Sequence, residues 1–514
     1  MTAPPSAQVQ ADPELRTAAT SSGRPDPCTV VLFGITGDLA KRKLVPALYS
    51  LHTGGLLPEQ FAVVGVSRSA GKEKLLRERL GSSLDKFARE QPVDEEVWTD
   101  FSRSIYGVSG DFSDDGLYED LAEKLAKVDD AHGTQGNVYF YFSTPPSQFP
   151  VLLEKLTKHK LLRRSRSGGK NRGQTRVIVE KPFGHDLESA RELNDLALKL
   201  LDENQIYRID HYLGKETVQN ILVFRFGNAI FEPLWNRNHV ERVEITMSEA
   251  IGVEGRGSFY EETGVVRDIV QNHLLQMLAL VAMEAPVSFE ADEVRNMKAQ
   301  VLRSLRTIDR DQVRFEVVAG QYAGYRKEEG VAPDSRTATF FAMKAFVDNW
   351  RWNGVPFFLR AGKALSKRST EIAFFFRSVP FCLFDDADSR CQAKQNVLRI
   401  RIQPNEGIGL EIASKVPGDD VEIGRVKMDF EYEEAFQRPA PQAYERLLLD
   451  WMKGDPTLFA RADEVELSWA WCAPILEEWA QGGPPLYFYE PGSKGPEEAE
   501  ELLEEGIYWQ PLTS

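Results

Sequence analysis

The sequence predicts a doubly wound α/β domain followed by an α+β domain with a large antiparallel sheet. Two observations carry this prediction. Short apolar runs alternate with helical patterns over residues 28–207, which is typical of a parallel sheet with helices on both faces. After residue 208 the strand-like segments alternate apolar and polar side chains, which favours an antiparallel sheet backed by helices.

The first domain, residues 28–207, is predicted from buried strands separated by helices. The strands are short apolar runs at 30–33, 61–69, 137–144 and 175–184. Helical periodicity follows the first strand as far as Leu51 and occurs again at 71–90 and 114–128. Residues 1–27 are rich in Ala, Pro, Ser and Thr, which predicts a disordered tail, and the basic segment 163–176 is predicted to be a mobile loop.

The second domain, residues 208–514, is predicted from strands rich in aromatic and β-branched residues. These strands lie at 241–250, 337–347, 371–378 and 396–404. Residues 263–283 predict a long, largely buried helix, and the acidic segment 495–509 is predicted to be a solvated terminal helix. We find no internal repeat.

Composition excludes several classes of protein. The 514 residues carry a formal charge of −16, which argues against general binding to nucleic acid or to acidic membranes. There is no apolar run long enough for a spanning helix and no secretory signal at the N-terminus. The four cysteines, Cys28, Cys382, Cys391 and Cys472, form no CxxC pair and predict free thiols in a reducing compartment. We therefore expect a cytoplasmic protein, and we predict no metal-binding residues.

A glycine turn follows the first buried strand. Gly34 and Gly37 of "GITGD" would let a pyrophosphate approach the backbone at a helix start, and Thr36 adds a hydroxyl. This context predicts a Rossmann-like dinucleotide site, with an ordinary βα turn as the alternative. Arg68 ends the second strand, where NAD-binding folds often have a carboxylate, so it favours NADP. A solvated arginine at a strand end is the alternative.

Three further residues are candidates for the chemistry. Lys181 of "EKPFG" ends another strand, at the edge where ligands bind in such sheets, and a plain exposed lysine is the alternative. His273 lies on the long helix, where a histidine satisfied within the core is the alternative. Asp268 is five residues from His273 and points elsewhere on an α-helix. A catalytic His273 therefore needs another carboxylate, and Asp210 is the candidate.

The chain resembles the glucose-6-phosphate dehydrogenase family. The resemblance rests on "RIDHYLGKE" (208–216), "GITGDLAKRKL", "EKPFG", "NRNHVERVEIT", "ETGVVRDIVQNHLLQML" and "PFFLRAGKAL", which occur in the family's order over about residues 28–410. The nine-residue segment 208–216 is the specific part. The resemblance implies that glucose 6-phosphate is oxidised at C1 to the lactone with NADP as acceptor, which opens the pentose phosphate route.

The resemblance also implies roles for individual residues. Asp210 resembles the carboxylate that orients the general base, and His273 resembles that base. The residues that match substrate positions are Lys181, His211, Tyr212, Lys215, Glu249, Asp268, Lys363 and Gln403, with Lys43 nearby. His211, Tyr212 and Lys215 match the phosphate group, whereas Lys363 matches either phosphate or sugar. The residues that match coenzyme positions are Gly34, Thr36, Gly37, Asp38, Arg68, Pro145, Pro146 and Lys181.

Two other functions stay open. One is a related NAD(P)-dependent dehydrogenase for a different sugar, although those relatives lack "DHYLGKE". The other is a non-catalytic homologue that senses NADP, which the intact Asp210, Lys215 and His273 speak against. The resemblance further implies a homodimer or homotetramer built through the sheet of the second domain.

Overall fold

The computed structural model describes residues 23–165, 173–381, 383, 395–437, 440–504 and 507–512. Most of the predicted tail, residues 1–22, and the middle of the predicted basic loop, residues 166–172, lie outside the described residues. None of the described helices combines the length and the apolar character that crossing a membrane would need.

The first sheet contains six strands, all parallel. They are β1 (Cys28–Phe33), β2 (Phe61–Ser67), β3 (Ile105–Ser109), β4 (Val138–Phe142), β5 (Thr175–Val179) and β6 (Ile206–Arg208). Their spatial order is β3-β2-β1-β4-β5-β6, which is the doubly wound order with its switch point between β1 and β4. The sequence predicted β1, β2, β4 and β5 but missed β3 and β6, the latter only three residues long.

Helices cover both faces of this sheet, as predicted. They are α1 (Val45–Thr53), preceded by a π-helical turn (Ala40–Leu44), α2 (Glu73–Phe87), α3 (Glu95–Arg103), α4 (Asp115–His132), α5 (Phe149–Lys158) and α6 (Leu187–Leu200). Because side chains alternate along a strand, Val30 and Leu32 of β1 join the core beneath α1 and α2, whereas Val31 and Phe33 join the core beneath α4 and α5.

The second sheet contains nine strands. They are β7 (Val240–Ser248), β8 (Val317–Tyr322), β9 (Phe340–Phe346), β10 (Pro356–Gly362), β11 (Ser369–Phe376), β12 (Val397–Gln403), β13 (Gly407–Lys415), β14 (Ile423–Glu431) and β15 (Leu486–Tyr489). The order is β14-β13-β12-β11-β7-β10-β9-β8-β15. The predicted antiparallel sheet is confirmed, with the qualification that β7–β10 and β8–β15 are parallel pairs.

Helices back one face of the second sheet. They begin with α7 (Glu216–Phe226) and α8 (Gly257–Val265), and continue with α9 (Leu275–Ala282), α10 (Ala291–Ser304) and α11 (Arg310–Glu316). A π-helical segment (Val266–Leu274) joins α8 to α9. The long helix predicted at 263–283 is therefore interrupted, and the interruption contains His273.

Two C-terminal helices leave the second domain and pack on the first. After α12 (Tyr432–Phe436), α13 (Ala443–Lys453) places Trp451 against Tyr139 and Tyr141 of β4, at ring centroid distances of 5.7 and 6.0 Å. On α14 (Ala462–Ala480), the indole of Trp469 donates a hydrogen bond of 2.9 Å to the carbonyl of Phe183. One of the hydrophobic cores therefore includes residues of both sheets.

The acidic C-terminal segment differs from its prediction as a solvated helix. It forms a short 3₁₀ helix (Glu497–Leu502), and Ala499, Leu503, Trp509 and Leu512 are buried against the second sheet. The apolar residues spaced between the glutamates decide this outcome, because they cover a face of the sheet that would otherwise meet water.

Candidate active site

Candidate residues from five strands of the first sheet meet at one edge. The glycine turn follows β1, Arg68 follows β2, Pro145 follows β4, Lys181 follows β5 and Asp210 follows β6. All five strands are parallel, so these residues lie at the carboxyl edge, where ligands bind in open α/β sheets.

Asp210 and His273 form a buried pair, although 63 positions separate them. His273 Nδ1 lies 2.5 Å from Asp210 Oδ1, and both side chains are almost fully buried. The same oxygen of Asp210 accepts a hydrogen bond of 2.9 Å from the backbone N–H of Tyr212. The backbone of the segment after β6 therefore fixes the carboxylate of Asp210, and this carboxylate fixes the imidazole of His273.

The contacts of His273 define its tautomer. Lys181 Nζ lies 2.8 Å from His273 Nε2. A lysine ammonium only donates, so Nε2 accepts and carries no proton. The single proton of a neutral imidazole is then on Nδ1, where it is donated to Asp210. His273 thus presents an accepting nitrogen on the side of Lys181.

The pKa values fit this assignment. Burial lowers the pKa of His273 below its ordinary value, and the Lys181 cation adds to this effect against the opposing charge of Asp210. Burial alone would raise the pKa of the Asp210 carboxyl, but the charge and hydrogen bond of His273 bring it down to about 2. At neutral pH the pair is a carboxylate and a neutral imidazole.

The π-helical segment brings Asp268 to the same place. On an α-helix, residues five apart point in different directions, but a π-helix bonds residue i to i+5 and stacks them. Lys181 Nζ consequently contacts the backbone oxygen of Asp268 at 2.9 Å and its carboxylate at 3.4 Å, while it also contacts His273. The sequence prediction that Asp268 is not the direct partner of His273 is compatible with this geometry, because Lys181 lies between them.

Lys363 lies with the two predicted sugar carboxylates. Its Nζ forms an ion pair with Glu249 and a second, of 3.2 Å, with Asp268. Burial opposes the charge of Lys363, but Asp268 and Glu249 outweigh it and raise the pKa of this lysine. Lys181 and Lys363 together hold the pKa of Asp268 well below its usual range despite burial.

A separate cationic pocket lies at the start of α7. Lys215 Nζ and Arg368 Nη2 donate to one amide oxygen, Gln403 Oε1, at 2.6 and 3.0 Å. Burial, with Arg368 and Lys43 adding to it against the opposing Glu406, lowers the pKa of Lys215 to about 8. Two cations that share a neutral oxygen form a pocket suited to an anion.

The rings of His211 and Tyr212 lie between the dyad and this pocket. Their centroids are 4.6 and 4.4 Å from that of His273. Burial, together with His273 and Lys181, lowers the pKa of His211 well below its ordinary value. His211 is thus a neutral hydrogen-bonding group at pH 7. The amide nitrogen of Gln403 donates to the Tyr212 hydroxyl at 3.0 Å, which joins Tyr212 to the pocket.

The glycine turn has the form that a bound pyrophosphate requires. Gly34 has a φ of 86°, and a Cβ there would collide with the backbone carbonyl of Ser143. Gly37 N–H donates to Gly34 O at 2.8 Å, which closes the turn. On the adjoining turn after β4, next to Pro145 and Pro146, the buried hydroxyl of Thr144 has no hydrogen-bond partner among the described residues. These observations fit a dinucleotide.

The outermost predicted cofactor residues are exposed. Asp38 forms an ion pair of 3.4 Å with Arg42, and Arg68 lies at the end of β2 apart from the dyad and the cationic pocket. Asp111, which follows β3, lies near enough to Arg68 that the arginine adds to the effect of the Ser113 hydrogen bonds in lowering the pKa of Asp111. The sequence prediction overlooked this carboxylate.

Arg368 is the main residue that the sequence prediction missed. The signal was the cluster of cations in "GKALSKRST", which ends where β11 begins. Thr370 of β11 pairs with Gln403 of β12, so strand pairing carries Arg368 to the amide that Lys215 also contacts. Only the register of two strands could reveal this.

Comparison with known proteins gives matches along almost the whole chain. Residues 31–220 match the model of the glucose-6-phosphate dehydrogenase NAD binding domain, and residues 222–510 match that of the C-terminal domain. A glucose-6-phosphate 1-dehydrogenase of Chlamydia pneumoniae is 45% identical over 499 residues, which cover 95% of this chain and 96% of the relative. Glucose-6-phosphate 1-dehydrogenase 2 of Mycobacterium tuberculosis is 45% identical and covers 93% of each chain.

Two solved structures are similar in fold and in sequence. A glucose-6-phosphate dehydrogenase in complex with its substrate glucose-6-phosphate gives a TM-score of 0.86 at 34% identity, covering 96% of this chain and 100% of that one. The glucose-6-phosphate 1-dehydrogenase of Mycobacterium avium gives a TM-score of 0.81 at 38% identity, covering 95% and 100%.

Proposed function

The chain belongs to the glucose-6-phosphate dehydrogenase family, and on this premise we propose that it oxidises D-glucose 6-phosphate at C1 to 6-phospho-D-glucono-1,5-lactone, with NADP⁺ reduced to NADPH. This is the first step of the oxidative pentose phosphate pathway. The observation that supports it most directly is the buried pair of Asp210 and His273 at the carboxyl edge of the first sheet.

His273 is the general base in this proposal. Its Nε2 accepts the proton of the C1 hydroxyl, and Lys181 gives up its hydrogen bond to that nitrogen when the sugar enters. Asp210 then faces an imidazolium and stabilises it, as a buried carboxylate does in a hydrolase triad. General-base catalysis of this kind typically contributes about 10²–10⁴-fold in rate.

The remaining substrate residues divide by charge. Lys215, Arg368 and Gln403 bind the phosphate, and His211 and Tyr212 add neutral hydrogen-bonding groups at its edge. Glu249, Asp268 and Lys363 bind sugar hydroxyls. The charge of Lys363 is already balanced by the two carboxylates, so we assign this lysine to the sugar and not to the phosphate. Binding energy from the remote phosphate orients C1 toward the base, so it contributes to turnover as well as to affinity.

The coenzyme is NADP. The turn formed by Gly34, Thr36, Gly37 and Asp38 holds the pyrophosphate, Arg68 holds the 2′-phosphate, and Pro145, Pro146 and Lys181 line the nicotinamide side. When bound, NADP⁺ supplies the acceptor for the hydride that leaves C1. Loss of the hydroxyl proton to His273 makes that departure easier, since it increases the electron density at C1.

An assay of NADPH formation tests this function. Purified protein should reduce NADP⁺ with glucose 6-phosphate, and far more slowly with free glucose. Arg68→Ala should lower the preference for NADP⁺ over NAD⁺ by about tenfold, the effect of one charge-assisted contact at an exposed site. Arg79→Ala, an exposed arginine on α2, is the control. Equal efficiency with free glucose would indicate a different sugar dehydrogenase, and no turnover with any sugar would indicate a sensor.

We also propose that the chain forms a homo-oligomer through β13 and β14. Three apolar pairs face each other across these strands, Ile408–Phe430, Leu410–Met428 and Ile412–Val426, and β14 is the outermost strand of the sheet. Met428 and Val426 are 49% and 44% exposed. Met428→Lys should convert the oligomer to monomers in size-exclusion chromatography with light scattering, whereas Lys427→Gln on the other face should not.

A cytoplasmic location completes the proposal. Cys28 and Cys472 are buried free thiols, which fits a reducing compartment. The other two cysteines lie outside the described residues. Fractionation of the source cells followed by the NADPH assay tests the location, and activity confined to a secreted fraction would contradict it.

A further inference from the structure

A small cavity lies beside the buried pair. Its volume is about 40 Å³, and it is bounded by the ends of β5 and β6, the π-helical segment and α14. Asp210, Gln271, Gln276 and Ser468 line it. A cavity of this size has room for at least one water molecule, and these polar groups, set in a partly apolar lining, offer it hydrogen-bond partners.

Two oxygens on the cavity wall have no partner among the described residues. Asp210 Oδ1 accepts hydrogen bonds from His273 and Tyr212, but Oδ2 accepts none. The hydroxyl of Ser468 is equally unpaired. Both side chains are more than nine-tenths buried. A buried carboxylate oxygen without a donor is costly, so this pair of atoms requires a ligand with two hydrogen-bonding directions.

We propose that the cavity binds a water molecule that joins Asp210 Oδ2 to Ser468 Oγ, which makes Ser468 a positioning residue for the dyad. Ser468 lies on α14, 258 positions from Asp210, and none of the substrate or coenzyme residues proposed above lies on that helix. The water donates to Oδ2, and the serine hydroxyl fixes its orientation. This inference rests on the proposed function, because it concerns the base of that reaction.

The bound water acts on one protonation state of the pair more than on the other. When His273 is neutral, the charge of Asp210 is uncompensated within the pair, and a donor to Oδ2 stabilises it strongly. When His273 is protonated, the pair has no net charge and gains less from the same donor. The water and Ser468 therefore favour the neutral imidazole and keep the pKa of His273 low.

Other charged groups surround the pair and stay in place when Ser468 is changed. The groups that line the same cavity or act on the dyad from neighbouring elements are Glu180, Lys181, Arg208, His211, Lys215 and Asp268. None of them lies on α14. A change confined to Ser468 thus isolates the effect of the water.

The pH dependence of kcat/KM tests the role of Ser468. Ser468→Val fills the cavity with methyl groups and should move the acid limb of the profile to higher pH by about one unit, the loss of one hydrogen bond to a charged group. Ser468→Ala should move it less in the same direction, because a second water can replace the hydroxyl. KM for glucose 6-phosphate should not change at the pH optimum.

Cys472→Ala is the matched control. It removes one heavy atom from a buried position on the same helix that does not line the cavity, and its profile should coincide with that of the unmodified protein. If neither Ser468 variant shifts the acid limb, Ser468 does not position the dyad. If Ser468→Val does not fold, Ser468→Ala decides the question.

A high-resolution crystal structure tests the site without reference to catalysis. Density for a water within about 3 Å of both Asp210 Oδ2 and Ser468 Oγ is expected. A dry cavity would overturn the inference while leaving the proposed function intact. Conversely, full turnover by His273→Asn would overturn the proposed base but not the water site.

Discussion

Two networks of buried charged residues lie on the second sheet or against it. They differ in how completely their charged groups are paired with hydrogen-bond or ion-pair partners. The catalytic network consists of Asp210, His273, Lys181, Asp268 and Lys363, with the cationic pocket of Lys215 and Arg368 beside it. The C-terminal network consists of Arg242, Glu244, Arg360, Glu371, Arg399 and Glu411, and the segment 507–512 covers it.

The C-terminal network is closed except at Arg360 Nε, which has no hydrogen-bond partner among the described residues. Arg399 forms ion pairs with Glu371 and Glu411 at 3.1 and 3.0 Å. Gln510 joins the two halves of the network, since its side-chain oxygen accepts from Arg399, whereas its N–H donates to Glu244 and its carbonyl accepts from Arg360. Arg360 also lies 4.7 Å from the ring centroid of Trp509. Burial lowers the pKa of Arg360 to about 10, which leaves it charged at neutral pH.

The catalytic network is open at three points. Lys215 and Arg368 converge on a neutral amide, His273 Nε2 is engaged only by a lysine that has other acceptors, and Asp210 Oδ2 lacks a protein donor among the described residues. Burial of charge is thus shared by both networks, whereas incomplete pairing at several groups distinguishes the one that we propose binds the substrate.

Replacement of His273 should have the largest effect and would confirm that the catalytic network serves turnover. His273→Asn keeps a side chain that can donate to Asp210 but removes the base. We expect kcat to fall by about 10²–10⁴-fold. KM for glucose 6-phosphate should stay within a few-fold, as judged from initial rates of NADPH formation. If kcat were retained, His273 would not be the base, and the catalytic network would not differ from the C-terminal network by a role in turnover.

Replacement of Arg399 should affect stability and leave turnover unchanged. Arg399→Ala removes the cation that Glu371 and Glu411 share in a buried site, and breaking such a pair costs about 3 kcal/mol of the free energy of unfolding. Denaturant unfolding followed by fluorescence measures this loss, while kcat of the folded variant should stay near that of the unmodified protein.

Arg425→Ala provides the matched control for Arg399. Arg425 pairs with the same Glu411 at 2.9 Å, but its side chain is 43% exposed, compared with 10% for Arg399, so its loss should cost less than about 1 kcal/mol. If Arg399→Ala and Arg425→Ala had the same free energy of unfolding, burial would not explain how the ion pairs of the C-terminal network stabilise the protein.

The pH dependence of KM should show the smallest effect. The pKa of Lys215 is about 8, so this lysine is a cation below that pH and loses its charge above it. A phosphate ester stays fully charged over this range, so affinity falls as the lysine becomes neutral. KM for glucose 6-phosphate should rise about fivefold between pH 8 and 9.

Lys215→Arg tests the cause of that rise, because a guanidinium does not titrate in this range. The variant should show a flatter profile than the unmodified protein. If KM rose by the same factor in the variant, the effect would belong to another group, and Lys215 would not be the cation that binds the phosphate.

Much of the fold was predictable because its signals are local. Buried runs such as 30–33 and the glycine turn of Gly34 and Gly37 depend on neighbours in sequence, and the structure confirms the strands and the turn. The pairing of Asp210 with His273 was also expected, because a catalytic His273 needs a carboxylate other than Asp268 and because the motif match points to Asp210, although neither residue carries a local sign of the other.

The features that escaped prediction depend on long-range geometry. The π-helical segment that stacks Asp268 with His273 has the same apolar pattern as an α-helix. Arg368 reaches Gln403 through strand register, and Ser468 reaches the cavity beside the dyad through the return of α14 to the first sheet. The acidic C-terminal segment was misjudged because its charged residues outnumber the few apolar ones that fix it to the sheet.

The return of α13 and α14 has a consequence for biosynthesis. Tyr139 and Tyr141 stay uncovered until a ribosome has translated more than three hundred further codons, because Trp451 is their packing partner. We therefore expect the nascent N-terminal half to emerge with an exposed aromatic surface that is prone to aggregation until about the last eighth of the polypeptide has been made. Nonsense mutations late in the reading frame should for that reason yield insoluble product rather than a shortened, folded coenzyme-binding fragment.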